Sequence, residues 1–241
     1  MKRVYARVET RPADGVPGNG SRGNNGWGIA LDGKPVRTPA KHELAVPSAA
    51  LAAAIAAEWD AQRGEIRPAT MPLTRLAATA IDRTAAQRDL VVVETANYSA
   101  TDLVCYRAEH PPALAARQHA VWQPLVDWAA LRYDAALAVT EGIVPAAQSP
   151  AALRAFAAVV AAHDDFRLTA LHTLTAASGS LVIALALSEG WLDAEAAFAA
   201  SQLDETFQIE AWGEDSEAAA RRRALAADIA ASARFIALLD G

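Results

Sequence analysis

The sequence predicts an α+β chain in which a small β-rich N-terminal part precedes a longer helical one. Three observations carry this. Val4, Ala6 and Val8 alternate with Arg3, Tyr5, Arg7 and Glu9, which is the period of a strand. Asp32-Gly33 stands between the short apolar runs 27–31 and 34–38, and Asp-Gly in that setting signals a hairpin because both turn positions favour positive φ. From Met71 onward, apolar residues recur at helical spacing almost without a break, in a chain whose abundant alanine favours helix.

Taken in order, residues 11–26, "RPADGVPGNGSRGNNG", are too dense in Pro, Gly and Asn for a regular element and read as a loop. After the hairpin, residues 43–46 form a possible third strand. Ser48 is placed to cap a helix through Leu51, Ile55 and Trp59, ended by Gly64. Pro68 and Pro72 mark the expected boundary, giving an N-terminal domain of residues 1–70 and a helical domain of 71–241. In the second, Leu73, Leu76, Ala77, Ala80 and Ile81 share a face, Pro111-Pro112 is the clearest later break, and Pro124 falls near a bend or helix start. Further helices are expected over 151–163, 166–187, 193–212 and roughly 215–239.

Composition narrows the function. With 241 residues, 53% hydrophobic and 21% charged, the chain can bury a substantial core. A net charge of −6 argues against a nucleic-acid partner, which needs a basic face to displace counterions. The single cysteine, Cys105, cannot form an intramolecular disulfide, and its apolar "DLVCY" setting reads as a core thiol. The most apolar run, 181–187, is far shorter than a membrane span, so no membrane insertion is expected.

Motifs for catalysis are sparse. There is no G-x-S-x-G, no H-E-x-x-H and no Cys/His pair at zinc spacing. The glycine-rich "GNGSRGNNGWG" lacks the Gly-Lys-Ser/Thr ending of a phosphate-binding loop and precedes a strand instead of a helix. His163-Asp164-Asp165 is the one place where a histidine adjoins carboxylates. The conspicuous stretch is 201–217, "SQLDETFQIEAWGEDSE". On a continuous helix Leu203, Phe207, Glu210 and Glu214 would share a stripe, with Asp215 on its neighbour and Trp212 close by. Acids among aromatic groups lose solvent and gain electrostatic weight toward a cationic partner. The alternative is that Phe207 and Trp212 pack inward while the acids face water and Arg221, Arg222 and Arg223 neutralise them.

The blocks "EWDAQ", "MPLTRLAATAID", "YSATDLVCYRAE", "QHAVWQPLVDW" and "LDETFQIEAWGEDSEA" occur in that order, and with them the chain resembles, from about Trp27 to about Arg222, the assembly chaperone of the F-type ATP synthase that attends the alpha subunit. The resemblance implies a small α/β domain followed by an orthogonal helical bundle. It implies no catalysis and no cofactor, and the free alpha subunit as partner. It also implies a functional acid in "QIEAWGED", carried to Glu210 with Glu214 and Asp215 as companions and Phe207 and Trp212 beside them. Against the mitochondrial members, the N-terminus carries no Arg- and Ser-rich transit segment, so a bacterial cytoplasmic protein is expected. Other readings left open are a non-catalytic scaffold for a different client and an enzyme working through carboxylates.

Overall fold

The computed structural model describes residues 2–13, 26–142 and 144–241, so most of the Gly/Asn-rich segment lies outside the described residues. Two compact units divide the chain. One comprises Met1–Arg88, Asp165–Ala170 and Arg234–Gly241; the other comprises Asp89–Asp164 and Leu171–Ala233.

In the first unit β2 (Gly26–Leu31) is the central strand. Along one edge it pairs antiparallel with β1 (Val8–Ala13), and along the other with the short β3 (Lys34–Pro35) and β4 (Ala45–Val46). The Asp32-Gly33 turn has the two positive φ values, 48° and 77°, that its sequence called for. β1 begins four residues later than the alternation suggested. Asp32 explains this: its carboxylate accepts the N–H groups of Ala6 and Arg7, which takes that stretch out of the ladder. The strand instead runs on through Pro12, which an edge strand tolerates.

Ser48 caps α1 (Ala49–Asp60), its hydroxyl oxygen accepting from Leu51 N–H at 3.0 Å. α2 (Pro72–Thr79) follows and passes into a π-turn over Ala80–Thr84. Ile29, Leu44, Leu51, Ile55, Met71 and Leu73 form the core of this unit. Residues 63–65 are exposed between α1 and α2. Trypsin should therefore leave a resistant fragment beginning at Gly64, by cutting after Arg63. A fragment beginning at Asp89 would place the junction beyond the π-turn and defeat a division near residue 70.

The second unit is helical. α3 (Arg88–Ala96) leads through 3-10 turns at Asn97–Ala100 and Leu103–Cys105 to β5 (Tyr106–Arg107), which pairs in parallel with β6 (Thr140–Glu141). α4 (Pro112–Tyr133) starts at the expected proline break, and Pro124 lies inside it rather than at a helix start. α5 (Pro150–Ala161) is capped by Ser149.

The two long helices expected next are each divided. α6 (Asp165–Ser178) ends at Gly179, whose φ of 70° no helix continues, and Ser180 caps a separate α7 (Leu181–Ser188). Likewise α8 (Ala194–Ser201) stops at Gln202 before α9 (Leu203–Trp212), and α10 (Ser216–Leu239) completes the chain. No helix among the described residues is long and apolar enough to cross a membrane.

The start of α7 is held by Asp102, which is fully buried. Its carboxylate accepts from the Ser180 hydroxyl, from Val182 N–H at 3.0 Å and from Val104 N–H at 3.2 Å. One side chain thus joins the 3-10 turn to the most apolar helix of the unit. Burial pushes its carboxyl up to about 6, against the stabilising hydrogen bonds of Ser180 and Val182.

Candidate functional site

α4, α8 and α9 meet around buried polar anchors. Trp122 of α4 donates its indole N–H to the Ala200 carbonyl at 2.8 Å. Gln118, one turn earlier, accepts from Ala108 N–H and donates to Asp204 at 2.7 Å, fixing the start of α9 against α4. On the outer side of these anchors the face of α8 is built of alanines. Ala196 and Ala199 have too little side chain to fill the space toward α4, and a groove of about 430 Å³ remains. Its walls include Val121 and Leu203, and Trp191 closes one end, 45% exposed. Trp191 stacks on Trp128 at 5.8 Å, and Glu189 beside it accepts from Arg132 and from the Tyr133 hydroxyl, so this end is firmly placed.

The other end is Arg117. Its guanidinium lies 5.3 Å from the Phe207 ring centroid and makes two hydrogen bonds of 2.9 Å to the Glu210 carboxylate. These bonds hold the Glu210 carboxyl below its ordinary range, so it is charged at neutral pH. Glu210 is half-exposed beside Phe207, so its carboxylate keeps part of its solvent. Its neutralising partner comes from α4, 93 residues away in sequence, and not from the Arg221–Arg223 triplet.

α9 ends at Trp212, followed by Gly213 at a φ of 83°. Hence Glu214 and Asp215 do not continue the stripe of Phe207 and Glu210, as a longer helix would have had them do. Glu214 lies 3.4 Å from Arg222, and Asp215 accepts from Glu217 N–H and Ala218 N–H at the start of α10. Trp212 does not pack inward: it is 81% exposed. The structure therefore brings Phe207 and Glu210 together at Arg117, leaves Trp212 open, and gives Asp215 a capping role.

The charge of the segment that carries α8 and α9 is one-sided. Residues 189–217 hold nine Asp and Glu, namely 189, 193, 195, 204, 205, 210, 214, 215 and 217, and no Lys or Arg. Arg132, Arg117 and Arg222 each pair with one of them. An apolar groove lined by Trp191, on helices whose residues 189–217 are rich in acids, suits a protein segment that is apolar along one face and basic at its flanks. Arg117, Val121 and Trp191 were not identified from the sequence, because their signal is spatial: only the packing of α4 on α8 and α9 assembles them.

Other chemistry is scant among the described residues. Cys105 is buried, and desolvation pushes its thiol up to about 12, which leaves it protonated and a poor nucleophile. No group of three or more His, Cys, Asp or Glu able to hold a metal occurs among them.

Comparison with known proteins matches residues 2–130 to the family model described as ATP12 chaperone protein. The structure of Atp12 from Paracoccus denitrificans is 43% identical and superposes with a TM-score of 0.91, covering 99% of this chain and 98% of that one. A mutant of Paracoccus denitrificans Atp12p is 42% identical with a TM-score of 0.91, over 99% and 97% of the two chains. The Atu1473 protein of Agrobacterium tumefaciens is also 42% identical, with a TM-score of 0.88 over 99% and 86%. With the fold shared over nearly its whole length and the family model matching more than half of it, this chain belongs to the ATP12 chaperone family.

Proposed function

We propose that the protein is a non-catalytic chaperone of F-type ATP synthase assembly that holds the free alpha subunit, and that it does so through the α4–α8–α9 groove. In this reading the alpha subunit's exposed assembly surface supplies an apolar segment to the groove. Trp191, which lines the groove, and Trp212, exposed at the end of α9, are its aromatic anchors, since exposed tryptophans are among the residues that dominate protein interfaces. The acids of residues 189–215 orient the segment through its flanking cations. Release follows when a beta subunit competes for the same client surface. The observation that carries the proposal is the apolar groove on the acid-rich α8–α9 segment in a member of this chaperone family.

Co-expression with the alpha subunit, followed by size-exclusion chromatography, should give a soluble complex of the two. Elution of this chain alone while the alpha subunit stays insoluble would refute the proposal, and pull-down of an unrelated client in its place would favour a different scaffold.

Glu210 tests the orienting role. Glu210→Gln keeps the side chain's size but loses the charge that pairs with Arg117. Since Glu210 is exposed, the fold should melt within about 2 °C of wild type, as surface substitutions do. Suppression of alpha-subunit aggregation should fall severalfold. Glu217→Gln, outside the Arg117 cluster, should behave as wild type. Equal activity of all three proteins would remove Glu210 from the client site.

A further inference from the structure

The first unit contains a second cavity, of about 410 Å³, with the opposite electrostatic character. Its apolar lining includes Leu44, Trp59 and Met71, and Arg37, Lys41 and Arg75 stand around it. No Asp or Glu lines it. A volume of this size is that of a small-ligand pocket, not of a packing defect.

Two of the three cations are carried on a loop that is held in place. Asp82, in the π-turn, accepts from the Thr38 hydroxyl at 2.6 Å, from Ala40 N–H at 2.9 Å and from the His42 ring at 2.9 Å. Thr38 N–H bonds to the His42 carbonyl and Lys41 N–H to the Thr38 carbonyl, both at 2.9 Å, and Arg37 donates to the Lys41 carbonyl at 2.8 Å. Lys41 is kept at a φ of 75°, a conformation in which a lysine is uncommon. Among the described residues, the Lys41 and Arg75 side chains have no hydrogen-bond or ion-pair partner. The buried indole N–H of Trp59 likewise makes no hydrogen bond among them.

Charged donors around an apolar cavity, with no anion among its lining residues, are matched by an anion that also has an apolar body. We infer that this cavity binds a carboxylate carried on an apolar group, either a free small acid or the C-terminal carboxylate of a peptide. The apolar body displaces water from the lining, and in that drier setting the carboxylate is worth more to arginine and lysine than in bulk solvent.

The indole N–H resonances of ¹⁵N-labelled protein provide the test. Trp59 is one of six tryptophans, and its resonance is assigned by its loss in Trp59→Phe. Two acids are titrated: 4-phenylbutyrate, and an acetylated tetrapeptide ending in Leu-Phe with a free carboxylate. Their amides serve as neutral controls. The Trp59 resonance should shift saturably with an acid and not with its amide. Saturation by the peptide alone assigns the site to a protein terminus, and saturation by 4-phenylbutyrate assigns it to free acids as well. Arg75→Gln should weaken binding at least about fivefold, and so should Lys41→Gly, in which glycine accepts the positive φ without strain. Silence of the Trp59 resonance toward both acids, equal response to the amides, or unchanged affinity in both charge variants would overturn the inference. The readout involves this chain alone, so it stands or falls independently of the client proposed above.

Discussion

Asp102→Ala is expected to lower stability by about 3 kcal/mol at pH 7. The substitution orphans the Ser180 hydroxyl and the N–H groups of Val182 and Val104 in a site with no solvent access. Hydrogen bonds to a charged group contribute about 1.5–3 kcal/mol each, so losing three of them outweighs the relief from no longer burying the charge. In a domain of this size the melting temperature should drop by about 6–12 °C.

The effect depends on pH in a set direction. With its carboxyl raised to about 6 from the ordinary 3.8, the folded chain retains a proton there that the unfolded chain has released. That contribution to stability is fully present below about pH 4 and is lost as the pH rises to about 6. The difference in unfolding free energy between wild type and Asp102→Ala, measured by urea denaturation, should therefore be larger at about pH 4.5 than at pH 7. A difference that is constant with pH would show that Asp102 does not hold a proton in this way. An unchanged melting temperature would show that it does not hold α7.

The second large effect is on client binding. Ala199→Trp places an indole in the groove while keeping an exposed helical position, so it should block the site and leave the fold intact. Removing access to an aromatic anchor commonly costs about 2 kcal/mol or more, which is upward of tenfold in affinity. We expect the apparent dissociation constant for the alpha subunit to rise at least about tenfold, with a melting temperature within about 2 °C of wild type. Leu131→Ser is the control: Leu131 is 88% exposed and does not line the groove. Loss of activity in both variants would point to a general effect of surface hydrophobicity, and full activity of Ala199→Trp would exclude the groove as the client site.

Much of the local structure was determined by residues acting within a few positions of themselves. Asp32-Gly33 makes its turn because both residues tolerate positive φ, and Ser48 caps α1 because its hydroxyl reaches an N–H three residues on. The α+β order and the family followed from such signals and from the sequence blocks. The site was legible only as a segment. Its acids and aromatic residues are contiguous in sequence, but whether they shared a face depended on where α9 ends, and Gly213 ends it before Glu214. Similarly, the breaks at Gly179 and Gln202 occur inside stretches whose helical periodicity continues across them, so periodicity joined what caps and Asp102 separate. What the tertiary structure alone decided is which distant groups meet. Arg117 reaches Glu210 across 93 residues, and the groove exists because alanines on α8 face α4. Side-chain pairing and empty volume both arise from packing between elements, and neither has a period along the chain.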